Sequence, residues 1–267
     1  MEIRPTRDSD IEQVVALYKT CFNVEVRDFG YKHWYKNEEN YVSRVCELNG
    51  EIVGHNAIID REYIYRGNKI RVGLSSGGMV DSNRVKSPGL FLKMLREGIS
   101  EYKGDVIIAF PNKKAEPFWI RILKFNVIED GHYWVLEKEK FRGELCKFDY
   151  GNEQIIRPKE FLKWRLDDHP RNEYEYLTHG KVTIAIKVYN NWIELLYINQ
   201  LHKDIIVLIS EIFSRGYTRI NTISTNSLFW KELGFVNGEY NKFVYCWKNP
   251  IYSNDVFPCS MVDSDVF

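Results

Sequence analysis

The chain has 267 residues, room for one large domain or two small ones, and its 44% hydrophobic and 28% charged residues supply a full core under an ordinary solvated surface. Lysine plus arginine (37) balances aspartate plus glutamate (37), which argues against the many phosphate contacts of sequence-independent nucleic-acid binding but leaves room for one local cationic pocket. Aromatic residues reach 15%, with 7 Trp and 17 Tyr, so rings are in supply for core packing and for ligand-lining walls alike.

The opening predicts a short strand, Met1 to Arg4, then a helix in which Ser9 and Glu12 form a capping box and Ile11, Val14, Val15 and Tyr18 recur at helical spacing. A polar, aromatic stretch follows, Phe29 to Tyr41. Two strand-like runs, Val42 to Leu48 and Glu51 to Ile59, are joined at Asn49-Gly50, where both residues tolerate the positive φ of a tight hairpin turn. A third run, Lys69 to Val80, follows a second turn at Gly67 and Asn68. Beyond Val80 the pattern changes to an apolar helix, Leu90 to about Ser100, with Ser87 as its N-cap and Pro88 in its first position. A buried strand (Val106 to Phe110), a helix containing Phe118 to Leu123, and a strand around Tyr133 to Leu136 complete this half.

Residues from about Lys138 to Glu160 are charged and weakly periodic, which suits a linker that can include strand. The second half then repeats part of the first. Val182 to Val188 and Trp192 to Tyr197 read as strands joined at Asn190 and Asn191. Ile205, Ile209 and Ile212 mark a helix, Ile220 to Ile223 a strand, and Leu228 to Leu233 a short helix. Two strings make the duplication concrete: Phe118-Trp119 running to Phe125, and Phe229-Trp230 running to Phe235.

The five cysteines, Cys21, Cys46, Cys146, Cys246 and Cys259, are scattered without metal-ligand spacing, so they read as reduced thiols and no metal site is expected. The opening MEIRPTRDSDIEQ lacks the apolar core of a signal peptide, and no run reaches the roughly 18 apolar residues of a membrane span. The expectation is a soluble, cytoplasmic protein with neither nucleic acid nor membrane as a partner.

One segment has the chemistry of a phosphate receptor. Arg84, Val85, Lys86, Ser87, Pro88, Gly89 and Leu90 lie between a strand and a helix, with the spacing R-x-x-S-x-G. Free backbone N–H groups at a helix N-terminus attract phosphate, small residues let the backbone approach, and a cation assists. An ordinary capped loop between strand and helix reads the same way.

With these residues the chain resembles the GNAT N-acyltransferase superfamily, whose acyl-CoA loop reads Q/R-x-x-G-x-G/A. Arg84, Ser87 and Gly89 match it with one substitution, serine for glycine at Ser87. The later signature A-x-x-F-Y-x-K-x-G-F is similar to Phe229-Trp230-Lys231-Glu232-Leu233-Gly234-Phe235 and, more loosely, to Ala115 through Phe125. The opening I-R-P-T-R-D-S-D-I-E-Q-V also looks like the family's first strand and helix. The resemblance implies an α/β fold of two tandem GNAT-like αβ halves, each a mixed central β-sheet flanked by helices. Residues 1–140 would form the acyl-CoA-binding domain. Residues 141–267 would form a degenerate domain for acceptor or oligomer contacts, because Ile198 to Asp204 has no glycine and one lysine.

The resemblance also implies direct attack of an amine on a thioester, with a strand amide holding the acyl oxygen. By position that donor is Met79 or its neighbour Val80, and Gly77 and Gly78 would permit the bulge such strands carry; they could equally just end a strand. The cofactor contacts implied are Met79, Val80, Arg84, Val85, Lys86, Ser87, Gly89 and Leu90. The tyrosine that commonly protonates the departing thiolate has no counterpart, since Trp119 or Ile120 falls there in the first half and Trp230 in the second. Candidates for proton handling are His55, Ser75, Ser76, Asp81 and Asn112. His55 could equally be a satisfied core histidine, Ser76 a small strand residue, and Asp81 part of a surface turn.

The string Phe161-Leu162-Lys163-Trp164-Arg165, with His169-Pro170, Tyr174 and the closing Asp263-Ser264-Asp265-Val266-Phe267, resembles tandem enzymes that acylate nucleotide-linked amino sugars. This implies a dTDP-linked amino-dideoxy sugar as acceptor, acetyl-CoA or 3-hydroxybutyryl-CoA as donor, and Trp34, Tyr35, Trp164 and Arg165 as acceptor contacts. Each of these four could instead be core or interface, and a homo-oligomer is compatible with the sequence. Another small amine or a peptide as acceptor, and a non-catalytic acyl-CoA sensor, are the competing readings.

Overall fold

The computed structural model describes residues 1–23, 30, 32, 41–128, 133–145, 155–170, 172–239 and 243–264. The first half runs β1 (Glu2–Pro5), α1 (Ile11–Phe22), β2 (Val42–Leu48), β3 (Glu51–Tyr65), β4 (Asn68–Val80), α2 (Pro88–Glu101), β5 (Val106–Ala109), a π-helical turn (Phe118–Ile122), β6 (Asn126–Val127) and β7 (Tyr133–Glu137). The second runs β8 (Ile155–Ile156), α3 (Lys159–Leu162), a π-helical turn (Lys163–Asp167), β9 (Glu175–His179), β10 (Val182–Tyr189), β11 (Trp192–Ile198), α4 (Ile205–Ser214), β12 (Arg219–Ile223), α5 (Ser227–Glu232), β13 (Val236–Asn237) and β14 (Val244–Trp247).

Two mixed sheets result. The first has the order β1-β2-β3-β4-β5-β14-β6, with β8 added on β3, and the second the order β13-β7-β12-β11-β10-β9. Each sheet therefore contains a strand from the other half. β14 pairs antiparallel with β5 from Val244↔Ala109 to Trp247↔Val106, and β7 pairs antiparallel with β12 from Arg219↔Glu137 to Ile223↔Tyr133. The final strands of the two halves have changed places.

Turn chemistry sets the register of the first sheet. Asn49 (φ 54°) and Gly50 (φ 85°) join β2 to β3, and Arg66 (φ 50°) and Gly67 (φ 80°) join β3 to β4. Two consecutive positive φ values match the right-handed strand twist of a two-residue hairpin. The second turn sits one residue earlier than expected, because Asn68 already pairs with Tyr65 as the first residue of β4. At the start of α1, the expected Ser9–Glu12 box gives way to a turn in which the Arg7 amide donates to Asp10 Oδ2 at 2.7 Å and the Asp10 amide to the Arg7 carbonyl at 3.0 Å. The cause is Arg4, whose guanidinium holds both oxygens of the buried Asp10 carboxylate at 2.7 and 2.9 Å. Asp10 is held below the usual carboxylate range, first by that hydrogen bond.

The largest core lies between the sheets. Ile11, Val14 and Leu17 of α1 share it with Ala57 and Ile59 of the first sheet and Val135, Ala185, Leu196 and Ile223 of the second. The second half thus packs on the same face of the first sheet as α1. On the opposite face, Leu95 of α2 meets Ile58, Ile107, Trp119 and Phe125. α4 covers the far side of the second sheet through Ile205, Leu208, Ile209 and Ile212.

Candidate active site

The candidate site begins where two strands part. β4 and β5 run parallel from Val72↔Val106 to Ser75↔Ala109, and there the pairing ends while β4 continues to Val80. Just beyond, β4 bulges: Ala57 pairs with Ser76 and His55 with Met79, so Gly77 and Gly78 together oppose Asn56. Gly77 has φ 61°, a conformation that a side chain would strain. At Gly78 an added Cβ would lie 3.2 Å from the Phe91 ring of α2, so glycine lets helix and strand approach. Phe91 in turn meets Phe118 edge-on at 6.0 Å. From the second half, Phe243 packs edge-on against Phe110 at the end of β5, 4.7 Å between centroids.

Amide directions follow from register. In a two-residue hairpin the flanking pair exchanges hydrogen bonds and every second pair repeats this. Counting from Tyr65↔Asn68, Ser76 is such a position, so its N–H faces β3 and that of Gly77 faces the side where β5 has ended. Past the bulge, the Asp81 amide donates to Val53 O at 2.9 Å. By alternation the Met79 amide also faces β3, and that of Val80 faces the open side. The Gly77 carbonyl turns back to His55 of β3, so the amide of the same peptide, that of Gly78, points the other way, and the donors on the side where β5 has ended are Gly77, Gly78 and Val80. The sequence suggested Met79 or Val80; Gly77 and Gly78 were missed as donors, Gly78 because the peptide carrying its amide turns only within the bulge. The Met79 side chain is buried in the inter-sheet core.

The loop after β4 is anchored by Asp81. Its Oδ1 accepts the Asn83 amide (2.9 Å), and its carbonyl accepts the amides of Arg84 (3.2 Å) and Val85 (2.9 Å). Val85 and Leu90 pack inward with Val53 and Met94, while Lys86, Ser87 and Gly89 are exposed around the start of α2. Ser87 is the N-cap, but its side chain takes no amide of the helix. The expected side-chain cap is thus absent; Leu90 donates its amide to the Ser87 carbonyl (3.3 Å) and Pro88 has no amide to offer. Arg84, 48% exposed, bridges Glu51 (2.8 Å) and Asp81 (3.4 Å) beside it.

Four of the candidate proton handlers have hydrogen-bond partners within the fold. His55 is fully buried: Nδ1 lies 2.9 Å from Gly77 O and Nε2 3.2 Å from Ser43 Oγ, and burial lowers its pKa to about 4. Asp81 serves the loop. Asn112 is exposed and its Oδ1 caps a turn, accepting the amides of Lys114 (3.1 Å) and Ala115 (2.9 Å). Ser75 Oγ accepts from Asn56 Nδ2 (3.2 Å), and Ser76 is buried on β4 just before the bulge.

Of the acceptor candidates, Trp34 and Tyr35 lie outside the described residues. Trp164 is buried under the Arg61 guanidinium, 3.7 Å from ring centroid to Cζ. Arg165 is 1% exposed and donates to Val262 O (3.2 Å), Ser264 O (2.9 Å) and Tyr174 Oη (2.9 Å). Both side chains tie the C-terminal segment to the fold and line a small cavity with Arg61, Phe161 and Asp263.

The second half keeps the scaffold without the phosphate loop. β10 pairs Ala185 with Tyr197 and Ile186 with Leu195, so β11 bulges at Leu196, and its parallel pairing with β12 ends at Leu195↔Thr222. Trp230 meets Phe235 edge-on at 4.9 Å, as Trp119 meets Phe125 at 4.8 Å. At the N-terminus of α4, however, stands Asp204, whose Oδ2 accepts the Lys181 amide (2.8 Å) and lies 3.2 Å from His202 Nδ1. A carboxylate beside this helix start brings negative charge to the place where a phosphate would have to lie.

Residues 2–111 match the family model described as an acetyltransferase (GNAT) domain. No curated protein matches the chain in sequence. The fold is similar to a conserved protein of unknown function from Enterococcus faecalis V583 (TM-score 0.65, 10% identity, 92% of this chain and 72% of that one). It is also similar to GCN5-related N-acetyltransferases from Kribbella flavida (TM-score 0.63, 9% identity, 93% and 72%) and Anabaena variabilis (TM-score 0.63, 11% identity, 92% and 72%). The family match over residues 2–111 is to a GNAT acetyltransferase domain, and together with the fold it supports an acyl-CoA-dependent N-acyltransferase. Among the described residues no cluster of His, Cys, Asp and Glu could hold a metal ion, and no helix is long and apolar enough to cross a membrane.

Proposed function

We propose that acyl-CoA lies in the cleft of the first half, its pyrophosphate on the N-terminus of α2 and its thioester beside the bulge of β4. The observation that carries this reading is the conjunction of the β4–β5 parting, the Gly77–Gly78 bulge and the helix start that Ser87 leaves uncapped. An amine attacks the thioester carbonyl, forming a C–N bond. Charge gathering on the carbonyl oxygen is met by the amide of Gly77, Gly78 or Val80, already aimed and needing no reorganisation. The C–S bond then breaks, CoA leaves as thiolate, and the proton released by the amine ends on the thiol. His55, Asp81 and Asn112 are held by structural partners, so this proton passes through water or the acceptor itself.

The acceptor we propose is a dTDP-linked amino-dideoxy sugar, with acetyl-CoA or 3-hydroxybutyryl-CoA as donor, and this rests on the sequence resemblance. Thiol release from both thioesters, measured against dTDP-linked 3-amino and 4-amino sugars, the free sugars, an aminoglycoside and a peptide, tests the reading. Release with the nucleotide-linked sugars alone supports it. Release with another amine keeps the reaction and discards the acceptor, and silence with every amine despite CoA binding points to a sensor.

A further inference from the structure

The acyl-oxygen donor at the bulge depends on the orientation of one peptide, and a buried side chain holds that peptide. The positive φ of Gly77 turns the Gly77–Gly78 peptide, and His55 contacts the carbonyl of that peptide at 2.9 Å, so its N–H, that of Gly78, points the opposite way, to the side where β5 has ended. A carbonyl can only accept, so the His55 nitrogen that meets it is the N–H, which fixes the Nδ1–H tautomer. Nε2 is then the acceptor and takes the Ser43 hydroxyl at 3.2 Å, and Ser43 Oγ lies 2.7 Å from Thr6 Oγ1. Thr6, Ser43, His55 and Gly77 thus form one chain of hydrogen bonds from the first strand's end across β2 and β3 to the bulge. Its inner members are out of water, with Ser43 at 7% and His55 at 0% exposure, where such bonds are stiff. Glycine at the bulge has no side chain to fix its own ψ, so the carbonyl needs an external partner.

We propose that His55 is a positioning residue: through the Gly77 carbonyl it fixes the bulge of β4 and thereby aims the cleft amides at the acyl oxygen. It does not touch substrate and takes no proton. Its low basicity in this burial agrees with a ring that stays neutral during turnover. The inference rests on the acyltransfer reading above, and its test is built to fail separately from it.

The discriminating variants are His55→Asn, whose side-chain amide can reach the position of Nδ1 and donate to Gly77, and His55→Leu, which cannot donate. They are compared by kcat and KM with whichever amine the wild type accepts, and by calorimetric affinity for acetyl-CoA and for CoA. Losing one oxyanion donor outright costs on the order of 100-fold in kcat, so a misaimed one should cost roughly tenfold or more. The expected result is that loss for His55→Leu, KM for acetyl-CoA within about twofold of wild type, and recovery of most of kcat in His55→Asn. Equal loss in both variants would mark His55 as a base, and wild-type kcat in His55→Leu would remove it from the reaction; either overturns the proposal. Ser43→Ala, which loosens only the outer end of the chain, supplies the same comparison if His55→Leu does not fold. A smaller drop in kcat is then expected, and no drop contradicts the proposal. If the wild type acylates no amine, the reading above fails while this one is still decided by binding. Preference for acetyl-CoA over CoA should shrink in His55→Leu, and an unchanged preference overturns it.

Discussion

Arg157 and Asp263 meet at 2.6 Å, 106 positions apart in the chain, in an ion pair whose side chains are 1% and 0% exposed. Asp263 also accepts Tyr63 Oη of β3 (2.9 Å) and the Ser260 amide (2.8 Å), and so closes the C-terminal segment onto the first sheet.

Asp263→Ala should therefore destabilise strongly, because it leaves the Arg157 guanidinium buried without its counter-charge. Breaking such a pair from one side costs about 3–5 kcal/mol. Urea denaturation of the variant against wild type measures the difference, and a change of under about 1 kcal/mol, the usual worth of an exposed pair, would show that this one is hydrated.

Glu194 gives a pH-dependent prediction. Its Oε1 accepts from Trp192 Nε1 (3.2 Å) and Asn221 Nδ2 (3.0 Å), while its Oε2 is buried without a partner among the described residues. Burial raises its pKa above the ordinary 4.5. A carboxyl with a raised folded pKa binds protons more tightly folded than unfolded, so its contribution is full below pH 4.5 and is lost as pH rises through the folded value. Glu194→Gln removes that dependence. The variant should gain on wild type by about 1 kcal/mol between pH 4.5 and pH 8 in urea denaturation, and a parallel pair of stability curves would contradict the assignment.

The exchanged strands predict that neither half stands alone. A fragment of residues 1–140 lacks β14, the partner of β5, and carries β7 and the buried Trp134 with no sheet to receive them. Residues 141–267 have the converse fault. Each expressed singly should lack a cooperative thermal transition, and the two expressed together should recover one. A cooperative transition in either fragment by itself would mean that the exchange is dispensable.

Much of this architecture was legible in the sequence where local chemistry decides. Asn49-Gly50 specified its turn, and Gly77-Gly78 marked the bulge because only glycine relieves that backbone. The Phe-Trp strings at residues 118 and 229 announced the duplication, and both tryptophans indeed meet the phenylalanine that closes their string. Distant partners decided the rest. Ser9 lost its cap to Asp10 because Arg4 draws that carboxylate inward. Trp164 and Arg165 looked like ligand contacts because a ring and a cation side by side suit a nucleotide. In the fold, the carbonyls of Val262 and Ser264, almost 100 positions later, take the arginine inside. The exchange of β7 and β14 left no mark, since short apolar strands such as Tyr133–Glu137 and Val244–Trp247 suit either sheet equally.

The central claim is that one acyl-CoA site exists and lies in the first half, and a calorimetric titration with acetyl-CoA tests it most directly. Wild type, Arg84→Glu and Asp204→Ala would be compared. A charge-assisted phosphate contact is worth about 1.5–3 kcal/mol, so Arg84→Glu should weaken binding roughly tenfold or more. Asp204→Ala, at the start of α4, should leave wild-type affinity and one site per chain. Unchanged affinity in Arg84→Glu, or a second site in the wild type, would contradict the account.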